Sequence, residues 1–126
     1  MNLGHYPEQV PIDAYGNRGF RFAGMSHRGS LLCLPDRMQA WDVETPQQVT
    51  RESLQPVFDA AAEIDVLLIG LGSEIAVLPR PLRDALRAEG IIVEAIATGG
   101  AVRTYNVLLA EGRSVAAALI AVASAG

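Results

Sequence analysis

No lysine occurs anywhere in the chain; all ten cationic side chains are arginine. That absence excludes Schiff-base chemistry, a Walker-type phosphate lysine and a lysine general base. Arginine stays protonated, so it can clamp an anion but does not act as a base. Cysteine is almost as scarce. Cys33 stands alone, which excludes an intramolecular disulfide or a thiol cluster and fits a reducing compartment. Placed in an apolar stretch, it reads as an inert small core residue. His5 and His27 are the only imidazoles, and neither has an acidic or cysteine neighbour at metal-ligand spacing, so no metal is expected. The longest apolar run, Val115–Ala123, is far short of the roughly 20 residues that cross a bilayer. The stretch from Met1 to Val10 lacks the apolar centre of a signal peptide. The expected location is therefore cytoplasmic, with no stable membrane insertion.

Positive charge is short as well. Ten arginines face fourteen acids, for a net charge of −4. Residues 1–63 hold five Arg and eight acids, and residues 64–126 hold five Arg and six acids, so neither half is basic. A phosphate-neutralising face for nucleic acid is not expected. What the chain has in quantity is apolar: 50% of its 126 residues are hydrophobic, enough to fill one domain. Residues 1–126 read as a single domain with a core over about 12–122 and short loose tails.

The first half carries β signals. Ile12–Tyr15 reads as a short strand, and Gly16-Asn17-Arg18-Gly19 as a tight turn, because Gly and Asn tolerate positive φ. Phe20-Arg21-Phe22 alternates as a half-buried strand does. His27-Arg28-Gly29 reads as the next turn, Ser30–Leu34 as a strand ended by Pro35, and Trp41–Val43 as another. Short strands at this spacing predict an antiparallel meander.

Beyond Pro46 the period changes. Leu54, Val57, Phe58 and Ala61 recur at helical spacing, predicting a helix over 50–63 capped by Thr50 or Ser53. Val66–Ile69 is an unbroken apolar run, the pattern of a strand covered on both faces. Pro81 and Gly90 bracket a second helix, with Leu82, Ala85 and Leu86 facing inward. Ile91–Ala97 reads as a strand containing Glu94. Thr98 reads as the cap of a third helix ending near Gly112, and Val115–Val122 as a last strand. The prediction is an α/β single domain of three layers, β/β/α. Its N-terminal antiparallel meander is joined to a mostly parallel strand–helix–strand–helix–strand half.

Ligands in such sheets bind beyond the carboxyl ends of the strands. Two loops stand there: 70–74, with Gly70, Gly72 and Ser73, and the loop–helix 98–106, with Thr98, Gly99, Gly100, Arg103 and Asn106. Glycines allow close backbone approach, a helix N-terminus offers free N–H groups, and Arg103 and Asn106 share a helix face. These residues form a candidate site for a carboxylate or phosphate. The competing reading is a capped helix with a surface Arg and a packing Asn. Gly70-Leu71-Gly72 lacks the third glycine of a dinucleotide fingerprint, since position 75 is Ile. Ser73 is not in a nucleophile elbow, and no spacing supports grouping it with His27 and Asp42.

Four segments taken together carry a family resemblance: Gly16-Asn17-Arg18-Gly19-Phe20-Arg21-Phe22, His27-Arg28-Gly29-Ser30-Leu31-Leu32, Leu68-Ile69-Gly70-Leu71-Gly72, and Thr98-Gly99-Gly100-Ala101-Val102-Arg103-Thr104-Tyr105-Asn106-Val107-Leu108. In this order they resemble a domain-of-unknown-function family that includes mitochondrial complex I (NADH:ubiquinone oxidoreductase) assembly factor 3. The likeness runs from about Ile12 to Val122. It implies an α/β fold of β/β/α layers, no required cofactor and no catalytic residues. It also implies members that pair into homo-oligomers and an assembly or interaction role. The partner would be a respiratory complex subunit or another assembly factor. An acidic residue expected beside the Gly99-Gly100 loop is missing here, which weakens any transfer of chemistry. The alternative function is a small-anion or nucleotide-binding domain, catalytic or not, using a crevice between the 70–74 loop and the 98–106 loop–helix.

Overall fold

The computed structural model describes residues 4–73 and 76–125. Among these residues nine strands and three α-helices follow one another: β1 (His5–Tyr6), β2 (Ala14–Gly16), β3 (Gly19–Phe22), β4 (Met25–Arg28), β5 (Ser30–Leu34), β6 (Arg37–Trp41), α1 (Gln55–Asp59), β7 (Val66–Gly70), α2 (Arg80–Ala88), β8 (Ile92–Ile96), α3 (Thr98–Ala110) and β9 (Val115–Leu119). Short 3-10 turns occupy Pro46–Gln48 and Ala61–Glu63.

The main sheet has the order β1-β6-β5-β9-β7-β8. β7 runs parallel to both β8 and β9, as strand–helix–strand units require. β9 is antiparallel to β5, so the last strand welds the two halves into one mixed sheet. The remaining strands form a small antiparallel sheet, β2-β3-β4.

Side-chain alternation sorts the interior into two cores. Leu32, Leu34, Leu67, Ile69, Ala116 and Ala118 point to one face and pack against α1 and α2 through Leu54, Val57, Leu82 and Leu86. Leu31, Cys33, Leu68, Ala117 and Leu119 point to the other and meet Phe20, Phe22, Ala101, Val102 and Tyr105. Three layers result, the third shared by the small sheet and α3. All five residues of β7 and of β9 are buried, which explains their unbroken apolar runs.

Several local expectations need correction. His27 and Arg28 lie in β4, not in a turn. The chain instead reverses at Ala23-Gly24, with φ of 50° and 74°, and Gly29 alone (φ 94°) separates β4 from β5. The Gly16–Gly19 turn forms as expected, with positive φ at Gly16 (124°), Asn17 (50°) and Arg18 (62°). The last two close a two-residue hairpin. The sixth strand is Arg37–Trp41 rather than Trp41–Val43, because pairing to β5 fixes its register from Leu34↔Arg37 to Ser30↔Trp41. The helix over 50–63 shrinks to α1. Pro56 lacks an N–H, and Thr50 and Ser53 bond each other's backbone N–H groups to close a turn ahead of it. β2 begins at Ala14 and β9 ends at Leu119. Ahead of Ile12, β1 pairs with β6, and the Tyr105 hydroxyl donates to the Val10 carbonyl at 2.8 Å. At the other end, Ala123 accepts from the Asn17 N–H at 3.0 Å.

Candidate functional site

Because β7 and β8 are parallel neighbours, the loops leaving them lie side by side. They are joined by hydrogen bonds among the described residues. The Leu71 N–H donates to Ile96 at 2.8 Å, and the Thr98 N–H to Gly72 at 2.9 Å. The Thr98 hydroxyl accepts from the Gly72 N–H at 3.0 Å and donates to the Ile120 carbonyl at 2.7 Å. Ile120 returns its own N–H to Gly70 at 2.9 Å. One fully buried hydroxyl thus ties the ends of β7, β8 and β9. Gly70 has no room for a side chain: a Cβ there would stand 2.9 Å from the Thr98 Cα and 3.1 Å from Leu119. Gly72 has φ +95°, which glycine tolerates and most residues do not.

Thr98 is therefore not the helix cap. Ala97 holds the N-cap position, and the Thr98 side chain makes no capping bond. Gly99 sits directly under the Tyr15 hydroxyl, which donates to the Ala125 carbonyl at 3.1 Å. Gly100 lies beside Ile96, and the Arg103 guanidinium reaches back to within 3.9 Å of the place a Gly100 Cβ would take. Arg103 and Ser73 are exposed. Asn106 is turned to the chain itself: it accepts from the Ile12 N–H and donates to the Ile12 carbonyl, both at 2.8 Å. Of the eight candidate residues, Gly70, Gly72 and Thr98 meet in one hydrogen-bonded knot. Gly99, Gly100 and Arg103 share the first turns of α3, and Asn106 works as a clamp on the segment before β2. Glu74, in the first loop, and Ile75 lie outside the described residues.

The other chemically suggestive groups are occupied. His27 is buried, with Nε2 3.0 Å from the Ser30 carbonyl and Nδ1 2.8 Å from the Tyr6 hydroxyl. A carbonyl only accepts, so the network assigns the proton to Nε2, and Nδ1 accepts from Tyr6. Asp42 is exposed beyond β6 and Ser73 lies past β7, so the paper grouping with His27 does not assemble. Cys33 is fully buried, and desolvation pushes its thiol up to about 12. Desolvation, reinforced by the neighbouring Cys33, raises Tyr105 as well. Glu94 stands exposed on β8, an outer strand of the main sheet. Among the described residues no group of three His, Cys, Asp or Glu is placed to hold a metal ion, and no helix is long and apolar enough to cross a membrane. Sequence reasoning placed Tyr105 inward on the third helix but did not foresee that the hydroxyls of Tyr6, Tyr15 and Tyr105 hold the terminal segments. Nothing in their spacing marks that use.

Three relatives are informative. An uncharacterised protein from Rhodobacter capsulatus is 41% identical over 88% of this chain and 84% of its own length. NADH dehydrogenase [ubiquinone] 1 alpha subcomplex assembly factor 3 of Mus musculus is 35% identical over 91% of this chain, and that of Homo sapiens 34% identical over 86%. The match spans 62% and 59% of those two proteins. Among solved structures, one described as an outer membrane protein from Bartonella henselae superposes with a TM-score of 0.89. It is 50% identical and covers 93% of this chain and 98% of that one. A protein from Rhodopseudomonas palustris superposes with a TM-score of 0.83 at 52% identity over 95% of this chain and 89% of its own. A Bordetella pertussis protein described as an Mth938-like domain, 28% identical over 90% of this chain and 86% of its own, gives 0.77. Residues 12–120 match the family described as protein of unknown function (DUF498/DUF598), and the chain belongs to that family.

Proposed function

We propose that this chain is a non-catalytic assembly or interaction factor that acts on a respiratory complex from the cytoplasm. The observation that carries the reading is the 34–35% identity, over about nine-tenths of the chain, to assembly factors of NADH dehydrogenase [ubiquinone]. The use of side chains agrees with it. Thr98, Asn106 and His27, the polar groups best suited to chemistry, hold strands and termini together. The partner is a complex subunit or another assembly factor, and the chain also pairs with itself. The test is affinity purification at native expression, with proximity labelling, of wild type beside Arg103→Ala. Reproducible recovery of respiratory-complex subunits is expected. Background alone in both assays overturns the reading.

A second reading keeps a small anion or nucleotide at the start of α3. It is favoured by the Arg103 guanidinium beside Gly100. There the Thr98 and Ala101 N–H groups are used within the fold, and those of Gly99 and Gly100 lead the helix. Thermal stabilisation of wild type by phosphate or a nucleotide, lost in Arg103→Ala, is the result this reading requires. No stabilisation by any anion removes it.

A further inference from the structure

β8 is one of the two outer strands of the main sheet, with β1 at the opposite side. The Ile92 N–H donates to Asp65 at 2.9 Å, and Ile96 accepts from Leu71 at 2.8 Å. The backbone groups of Ile92, Glu94 and Ile96 therefore face β7. In a parallel ladder the intervening residues point the other way. The N–H and C=O groups of Val93 and Ala95 stand along the free edge.

Beside that edge lies a row of positive charge on this acidic chain. Arg80, Arg83 and Arg87 recur at i, i+3 and i+7 on α2 and share one face. Arg83 and Arg87 line a concavity of about 370 Å³ together with Gly90, Ile91, Ile92 and Val93 of the edge. All three arginines line a second one of about 600 Å³ that runs on along the helix, where Asp84 is the single carboxylate. Among the described residues the only ion pair is Arg37–Asp36, so none of the three guanidiniums is in a contact ion pair with a described carboxylate. A bare strand edge flanked by guanidiniums has two complementary needs: a backbone to bond and carboxylates to pair.

We propose that the β8 edge and the α2 arginine face together form a docking groove for an extended, acidic peptide segment of a partner protein. The segment adds to the sheet through Val93 and Ala95 and lays alternate Asp or Glu side chains on Arg83 and Arg87. Two residues per pleat repeat put every second side chain on the α2 side, so the acidic positions alternate. This assigns partner chemistry to the interaction reading above and rests on it.

The test uses the intact chain and a fluorescent decapeptide of alternating Glu and Val, followed by anisotropy at low salt and by amide hydrogen exchange. The expected result is saturable binding and slowed exchange of the Val93 and Ala95 amides. Arg83→Gln/Arg87→Gln should weaken binding about tenfold or more, while Arg28→Gln/Arg113→Gln leaves it unchanged. A Lys-for-Glu peptide, and a peptide N-methylated at alternate residues, should not bind. Absence of binding overturns the proposal, as does binding that survives loss of both arginines or leaves the two amides unprotected. Tighter binding of a single-stranded oligonucleotide at the same arginines also overturns it. So does concentration-dependent protection of Val93 and Ala95 without peptide, which would give the edge to a second copy of the chain. In cells, equal recovery of respiratory-complex subunits by wild type and the double variant overturns the groove and leaves the assembly reading standing. Peptide binding without recovery of any such subunit supports the groove and overturns that reading.

Discussion

Thr98 carries the sharpest prediction, because a single atom distinguishes a fold-holding role from a ligand role. Its side chain is fully buried. Its hydroxyl bonds the Gly72 N–H at 3.0 Å and the Ile120 carbonyl at 2.7 Å. Thr98→Val keeps the volume and the branched Cβ but removes both partners, stranding a donor and an acceptor at the ends of β7 and β9. Each lost bond costs about 1 kcal/mol, and each unpaired group adds desolvation, so roughly 2–4 kcal/mol in total is expected. For a chain of this size that is a fall in Tm of roughly 6–15 °C. Thr98→Ser retains the hydroxyl and loses one methyl, at about 1 kcal/mol. Urea denaturation with an unchanged slope is the measurement. If Thr98→Val lies within about 0.5 kcal/mol of wild type, or Ser costs as much as Val, the knot reasoning is refuted. A hydroxyl reserved for a ligand would leave the unliganded chain indifferent to Val.

Other perturbations follow from the same geometry. Asn106→Ala removes both bonds to Ile12 and should cost roughly 2–3 kcal/mol in a urea titration, with faster amide exchange at residue 12 and its neighbours. A result below about 0.5 kcal/mol would deny the clamp. Gly70→Ala drives a Cβ against the Thr98 backbone, 2.9 Å away, which cannot rotate aside. Calorimetry should show a loss of about 1–3 kcal/mol, and wild-type stability would contradict the close approach. Cys33, raised to about 12 by burial from the usual 9.0, should resist thiol reagents in the folded chain and react only in denaturant. The unfolded thiol ionises first, so this contribution is full below pH 9.0 and is lost as pH climbs from there towards about 12. Its slope is about 1.4 kcal/mol per pH unit, and Cys33→Ala should remove that slope. An identical pH profile in the variant would count against it.

The elements legible in the sequence were those whose own residues decide them. β5 has the expected bounds because Pro35 ends it and its neighbours bury both faces. β7 reads as central because every residue is apolar, and the β2–β3 turn follows from Asn17-Arg18 set between Gly16 and Gly19. Expectations failed where a distant partner decides. Met25–Arg28 has little apolar alternation, and it is a strand because β3 supplies its ladder from Gly19↔Arg28 to Phe22↔Met25. The helix over 50–63 has the right period but loses most of its length around Pro56. The candidate site fared the same way. Its residue types, a glycine pair, a threonine, an arginine and an asparagine, suit an anion, yet spacing along the chain does not show that Ile120, Ile12 and Tyr15 come back to meet them.

The sequence by itself determined the chemistry this chain lacks, the α/β order of its elements and the family it belongs to, because these depend on composition, local period and motif order. Only the tertiary structure decided that β9 enters between β5 and β7, and that Thr98 and Asn106 turn to backbone groups of the chain itself. It also left β8, beside Arg83 and Arg87, with no second partner strand among the described residues. Each of these is a long-range contact or its absence, set by which buried backbone groups still need a partner once the two cores have closed.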